Sequence, residues 1–163
     1  MLWPSEKREH LILPANNYVI ENFSEHHMQD VLNIEAASNL TPWSKKIFQK
    51  ILENRSISFV IRSNESVVAF CIANKVLDEC HLQNIAVIEE LRGKGIGTFM
   101  LNILFKRAKL SDLDTVLLEV RESNEIARKF YRDNGFKELS VRKNYYKAEN
   151  GRENAVIMRL EVA

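Results

Sequence analysis

Apolar residues along this chain switch repeatedly between a two-residue and a 3.6-residue period. Tyr18 to Phe23 reads as a first strand, and Ser24 then stands as the N-cap of a helix presenting Met28, Val31, Leu32, Ile34 and Glu35. Thr41-Pro42, a cap followed by a proline at the first helical position, predicts a second helix with Trp43, Ile47, Phe48, Ile51 and Leu52. Ile57 to Ile61 and Val67 to Ala73 are β-rich runs at hairpin spacing around Ser63-Asn64-Glu65. Glu79 to Val87 predicts another strand. The helix after it spaces Ile96, Phe99, Met100, Ile103, Leu104 and Ala108 on one face. Thr115 to Val120 is apolar except for Glu119, and Ser123 is placed to cap a helix burying Ala127, Phe130 and Tyr131 that Gly135 ends. Phe136 to Tyr146 and Asn154 to Leu160 close the pattern as a strand pair around a polar, flexible turn, Lys147 to Glu153. The order β-α-α-β-β-β-α-β-α-β-β predicts a mixed α/β sheet with helices on both faces.

The chain has 163 residues, the size of one domain, and no repeat or linker divides it. Residues 17–163 are expected to form that domain. Residues 1–16, polar and with two prolines, are expected to be a poorly ordered extension. A net charge of +1 argues against a broad nucleic-acid surface. No apolar run approaches a membrane span, and charges interrupt the N-terminus where a secretory signal would be apolar. With two cysteines, Cys71 and Cys80, that form no disulfide framework, the expected compartment is cytoplasmic. Cys80-His81 lacks a second spaced pair, so two strand residues are a better reading than a metal site, and none is expected.

Three of the five glycines fall in Arg92-Gly93-Lys94-Gly95-Ile96-Gly97, where a strand gives way to a helix. A glycine turn feeding a helix exposes unpaired N–H groups at the positive end of the helix dipole, which suits phosphate. A Walker A loop is excluded, because the earlier glycine and the following hydroxyl are missing. The dinucleotide fingerprint begins at Gly93 and Gly95 but meets Thr98 where its third glycine belongs, with Glu119 as an imitation of the ribose-binding acid. The pattern that fits in full is R-x-x-G-x-G.

Two residues near one sheet edge carry candidate chemistry. Glu119 is a lone carboxylate inside Val116 to Val120, suited to a general base; the alternative is an ion pair with a nearby cation. Tyr131 follows Phe130 on the next helix, where an aromatic ring is core by default. Strand end and following helix line the edge where α/β sheets bind ligands. Asn124, at that helix's start, can cap it or bond a ligand.

The stretches Leu82 to Val87, Arg92 to Gly97, Leu118 to Asn124, Phe130-Tyr131 and Asn134-Gly135-Phe136 resemble, in order and spacing, the GNAT family of N-acetyltransferases. Arg142 to Tyr146 and Gly151 to Met158, with Ile34-Glu35 and Pro42-Trp43-Ser44, look like its RimI-like branch, which modifies the N-terminal alanine of a ribosomal protein. The resemblance spans residues 17–161. It implies a mostly antiparallel sheet and acetyl-CoA as cosubstrate, with direct transfer in a ternary complex and no metal. Carried over, Glu119 matches the general base and Tyr131 the general acid. Ile85, Ala86 and Val87 match the strand that pairs with pantetheine. Arg92, Gly93, Lys94, Gly95, Ile96, Gly97 and Thr98 match the pyrophosphate cradle, and Asn124 a coenzyme contact. Thr98 departs from the branch, whose members often carry arginine there. Trp43, Tyr145 and Tyr146 are expected to border a peptide groove; otherwise they are strand and helix core. The implied partner is a protein N-terminus, that of a ribosomal protein, with no direct nucleic acid, no membrane, and a monomer or weak dimer. A small-amine acetyltransferase and an inactive coenzyme A-binding module are the alternatives.

Overall fold

The computed structural model describes residues 10–13, 16–54 and 56–162. Among the described residues eight strands form one sheet: β1 (His10–Leu13), β2 (Asn16–Asn22), β3 (Phe59–Ser63), β4 (Ser66–Val76), β5 (Glu79–Val87), β6 (Thr115–Arg121), β7 (Lys137–Ala148) and β8 (Gly151–Glu161). Their spatial order is β1-β2-β3-β4-β5-β6-β8-β7. Every pairing is antiparallel except β5 with β6. That one parallel step needs a crossover, and α3 (Ile96–Leu110) supplies it. The mixed, mostly antiparallel sheet expected from the sequence is therefore present. The strand β1 lies within the expected extension and pairs with β2; residues 1–9, 14 and 15 lie outside the described residues.

The sheet divides two cores. On one face α3 buries Ile96, Met100, Ile103, Leu104 and Ala108, with Leu101, against Tyr18, Phe59, Cys71, Leu118 and Val120. Tyr131 of α4 (Glu125–Asp133) joins this core. On the other face α1 (Met28–Ser38) and α2 (Lys45–Glu53) enclose Phe48, Val60, Phe70 and Ile72. The central strand β4 is buried on both sides, as its unbroken apolar run requires.

Several boundaries differ from the sequence reading, the strands β2, β3 and β4 by two or three residues at an end and three others for physical reasons. The second helix starts at Lys45 with Ser44 as N-cap, not at Thr41-Pro42, because the Trp43 N–H donates to buried Glu35 and the Thr41 hydroxyl accepts from Arg121. Asn124 rather than Ser123 caps α4: its Oδ1 accepts the Ala127 N–H, while the Ser123 hydroxyl donates to Glu153. The seven-residue turn is not a loop, since β7 runs to Ala148 and β8 resumes at Gly151. Gly135 does end α4, at φ 93°.

Candidate active site

The site begins with a strand losing its phase. Asn84 pairs with Ile72 but Leu82 pairs with Ala73, so Gln83 is one extra residue in β5. Before it, Cys80 and Leu82 face the α3 core; after it, Ile85 and Val87 do, while Ala86 joins the α1–α2 core. The parallel ladder to β6 stops at the same point, with Leu82 opposite Leu118. From there β6 continues against β8 alone and β5 against β4 alone. The two strands have parted.

The open edge of β5 carries usable backbone groups. The Ile88 N–H donates to Val68 O at 3.0 Å, so by antiparallel alternation Ala86 and Asn84 bond to β4. Ile85 and Val87 direct their N–H and C=O groups the other way, into the gap. Arg92 Nε occupies the Val87 carbonyl at 2.9 Å, and its Nη2 reaches the Ser38 hydroxyl at 3.1 Å. Arg92 thus folds the loop back on the strand.

At Gly93 and Gly95 φ is 70° and 85°, and a Cβ at either would meet only open space. Gly95 is the N-cap of α3, with Ile96 buried beneath the turn. Among the described residues no backbone carbonyl accepts the N–H groups of residues 93–98. An anion placed there would meet several such donors at a helix N-terminus. This cradle suits a pyrophosphate. Gly97 does something else: its Cβ would lie 3.1 Å from Phe130 Cζ, so its role is the close approach of α3 to α4.

Glu119 and Tyr131 come to the parted strands from opposite faces. On β6, Val116, Leu118 and Val120 point into the α3 core, which leaves Glu119 and Arg121 on the other face. Glu119 remains 28% exposed, and its Oε1 accepts from Arg142 Nη1 at 2.7 Å. The ion pair anticipated as the alternative exists, then, with a half-exposed partner. Tyr131 is buried beside Phe130 and Phe136, with ring centroids 5.2 and 5.6 Å away. Burial pushes its phenol well above the usual tyrosine range, and the nearby Cys71 and Tyr146 push it further. Its proton is held firmly until something more basic arrives.

A wide bulge in β7 brings the aromatic pair to Glu119. Arg142 pairs with Ala155 and Tyr146 with Glu153, leaving Lys143, Asn144 and Tyr145 opposite Asn154 alone. Asn144 takes φ 53° there, and its N–H donates to Asn154 Oδ1. Tyr145 and Tyr146 meet edge to face at 5.0 Å. Hydrogen bonding to Glu119 is the main cause holding the Tyr145 phenol above its usual range. Burial, then the Glu119 charge, pushes Tyr146 up to about 12. Arg121 lies over the Tyr146 ring at 4.6 Å and bonds Glu153, the Lys147 carbonyl and Thr41. This one guanidinium ties the β7–β8 hairpin to the loop between α1 and α2.

The other expected residues fall as follows. Trp43 packs on Phe48 at 5.5 Å and is partly buried in the α1–α2 core. Lys94 and Thr98 are exposed at the glycine turn. Asn124 commits its carbonyl oxygen to the helix cap. Arg142 and Arg121 lie in stretches that carry the family resemblance, but their roles at the site were not expected, since only the β7 bulge and the β6 register set their partners. Among the described residues no group of three or more potential metal ligands comes together.

Residues 21–136 match the model of the acetyltransferase (GNAT) family. The chain belongs to that family. It is an N-acetyltransferase by family. The ribosomal protein bS18-alanine N-acetyltransferase of Haemophilus ducreyi is 36% identical over 143 residues, covering 87% of this chain and 99% of that one. The enzyme of the same name from Escherichia coli K12 is 37% identical over 131 residues, or 80% of this chain and 88% of its own length. The crystal structure of the Escherichia coli ribosomal-protein-S18-alanine N-acetyltransferase superposes with a TM-score of 0.83 at 34% identity, over 90% of this chain and 94% of that one. The RimI-like resemblance read from the sequence agrees with these relatives.

Proposed function

We propose that this GNAT-family chain transfers an acetyl group from acetyl-CoA to the α-amine of an N-terminal alanine, with a small-subunit ribosomal protein as substrate. The observation that carries the reading is the parting of β5 and β6 between Glu119 on one face and Tyr131 on the other. Identity to the bS18-alanine enzymes over nearly the whole of their length supports the substrate.

The residues present fit acetyl-CoA: a turn of free N–H groups at residues 93–98 for its pyrophosphate, and for its amides a strand edge at Ile85 and Val87, open save for the Val87 carbonyl that Arg92 holds. Acetyl-CoA supplies an activated thioester carbonyl and a thiolate leaving group. The protein supplies proton transfers and placement. An α-amine titrates near ~7.7–8.0, so a carboxylate base removes one proton at modest cost. Glu119, partly exposed, takes it directly or through water. Backbone N–H groups of Ile85 and Val87 face the gap, where charge would build on the carbonyl oxygen. Tyr131, kept protonated by burial, gives its proton to the departing sulfur. Tyr145 and Tyr146, with Trp43 on the neighbouring loop, border the acceptor peptide. Asn124 and Thr98 complete the coenzyme side.

The acceptor is a protein terminus met in the cytoplasm by a monomer or weak dimer, without nucleic acid or membrane. Among the described residues no helix is long and apolar enough to cross a membrane. The test is a peptide with the ribosomal protein's N-terminal sequence, beginning with alanine. It should be acetylated at its α-amine, while the same peptide with a blocked terminus and free lysines stays inert and spermidine reacts poorly. Efficient acetylation of spermidine or internal lysine, with the alanine peptide ignored, would overturn the reading in favour of a small-amine enzyme.

A further inference from the structure

Glu35 is fully buried at the end of α1, and among the described residues it is the one buried carboxylate. Burying an ionised carboxylate is costly unless donors satisfy it. Three do, and all are neutral. Oε1 accepts the Trp43 backbone N–H at 2.9 Å; Oε2 accepts Asn39 Nδ2 at 2.6 Å and Asn84 Nδ2 at 2.9 Å.

The donors come from two separate walls of the site. Asn39 and Trp43 bracket the loop between α1 and α2, whose Thr41 is bonded by Arg121. Asn84 lies on the far side, one residue past the β5 bulge and directly before Ile85, whose N–H faces the gap. The carboxylate therefore spans the loop on the peptide side and the strand edge on the thioester side. A tertiary tether of this kind fixes a distance, and reaction rates depend steeply on distance.

We infer that Glu35 is a positioning residue that sets the separation between the acceptor-peptide loop, residues 39–44, and the oxyanion-facing strand, residues 84–87. The inference rests on the proposed N-terminal acetylation for its kinetic readout. Glu35→Ala releases both walls at once. A misplacement on the order of 1 Å lowers rate about 100-fold, so kcat/KM for the alanine peptide should fall by about that factor. The glycine turn at residues 93–98 makes no contact with Glu35, so acetyl-CoA affinity should fall much less than the rate, through the Ile85–Val87 edge alone. Glu35→Gln can still accept the Trp43 N–H and donate to a flipped Asn84 amide, and should recover most of the rate.

The experiment measures peptide kinetics, acetyl-CoA affinity by calorimetry and amide hydrogen exchange of the acetyl-CoA complex. In Glu35→Ala, exchange should rise together in residues 39–44 and 84–87 and stay unchanged in residues 93–99. Should Glu35→Ala fail to fold, Asn39→Ala and Asn84→Ala each remove one donor, the first from an exposed and the second from a partly exposed position. Each should lower peptide kcat/KM by a larger factor than acetyl-CoA affinity, and the double variant should lose less than the product of the two. Full-rate acetylation by these variants with only a lower Tm would overturn the inference. So would a loss of acetyl-CoA affinity in step with the rate, or exchange that rises in one wall alone. A wild type that ignores the alanine peptide refutes the functional reading instead, and the exchange pattern then decides the role of Glu35.

Discussion

Gly95 and Gly97 stand two residues apart and should fail in different ways when each is replaced by alanine. At Gly95 φ is 85°, and a Cβ would point into open space. A left-handed alanine costs about 1–2 kcal/mol, and the stiffer unfolded chain returns about 0.4–1 kcal/mol. The net, near ~1 kcal/mol, should lower Tm by about 2–4 °C in a domain of this size. The strained turn would also tilt one of the free N–H groups at residues 93–98 away from a bound anion. Losing one charge-assisted hydrogen bond there is worth about 1.5–3 kcal/mol, or roughly 10- to 100-fold in acetyl-CoA affinity. Gly97 is helical, and its Cβ would meet Phe130 Cζ at 3.1 Å and Cε2 at 3.3 Å. Overpacking costs about 1–3 kcal/mol, less about 1 kcal/mol of helix propensity gained. Gly97→Ala should therefore lower Tm with little change in affinity. Thermal melts and calorimetry on both variants separate the two effects. A Gly95→Ala protein that melts a few degrees early yet binds acetyl-CoA as tightly as wild type would refute the pyrophosphate cradle.

Glu119→Gln keeps an acceptor for Arg142 but removes the base, so turnover should fall about 10²–10⁴-fold with acetyl-CoA affinity kept. The loss should shrink at high pH, where the amine deprotonates unaided; a uniform loss across pH would mean that Glu119 serves only as an ion-pair anchor. For Tyr131 the sign follows from a neutral acid: burial, then Cys71 and Tyr146, raise its pKa, so the proton stays on through the range where tyrosine ordinarily ionises. The kcat profile should show no descending alkaline limb up to about pH 10. A limb near pH 9 that disappears in Tyr131→Phe would contradict this.

Glu119 was legible because a lone carboxylate in Val116 to Val120 has no packing reason to be there, and the glycine turn because so few glycines occur elsewhere. The face of α3 followed from its period. What stayed hidden depends on pairing between distant segments. The extra residue Gln83 reverses the alternation of β5, and nothing in Leu82 to Val87 marks it as a bulge. The bulge at Lys143 to Tyr145 turns Arg142 and Tyr145 onto Glu119 through a register that only the partner strand β8 defines. Thr41-Pro42 has sound capping chemistry, but buried Glu35 captures the Trp43 N–H and delays the helix to Lys45. Local propensity lost there to a tertiary hydrogen bond. The polar turn was overestimated for the same reason: Lys147 and Glu153 are drawn into the hairpin by Arg121.

The most direct test of the central claim is mass spectrometry of ribosomal-protein N-termini from cells with and without the gene for this chain. One small-subunit protein should carry an acetylated N-terminal alanine when the gene is present and a free α-amine when it is deleted, with the modification restored by the wild-type gene and not by Glu119→Gln. N-terminal acetylation identical in both strains, or a loss confined to lysine side chains, would contradict the account.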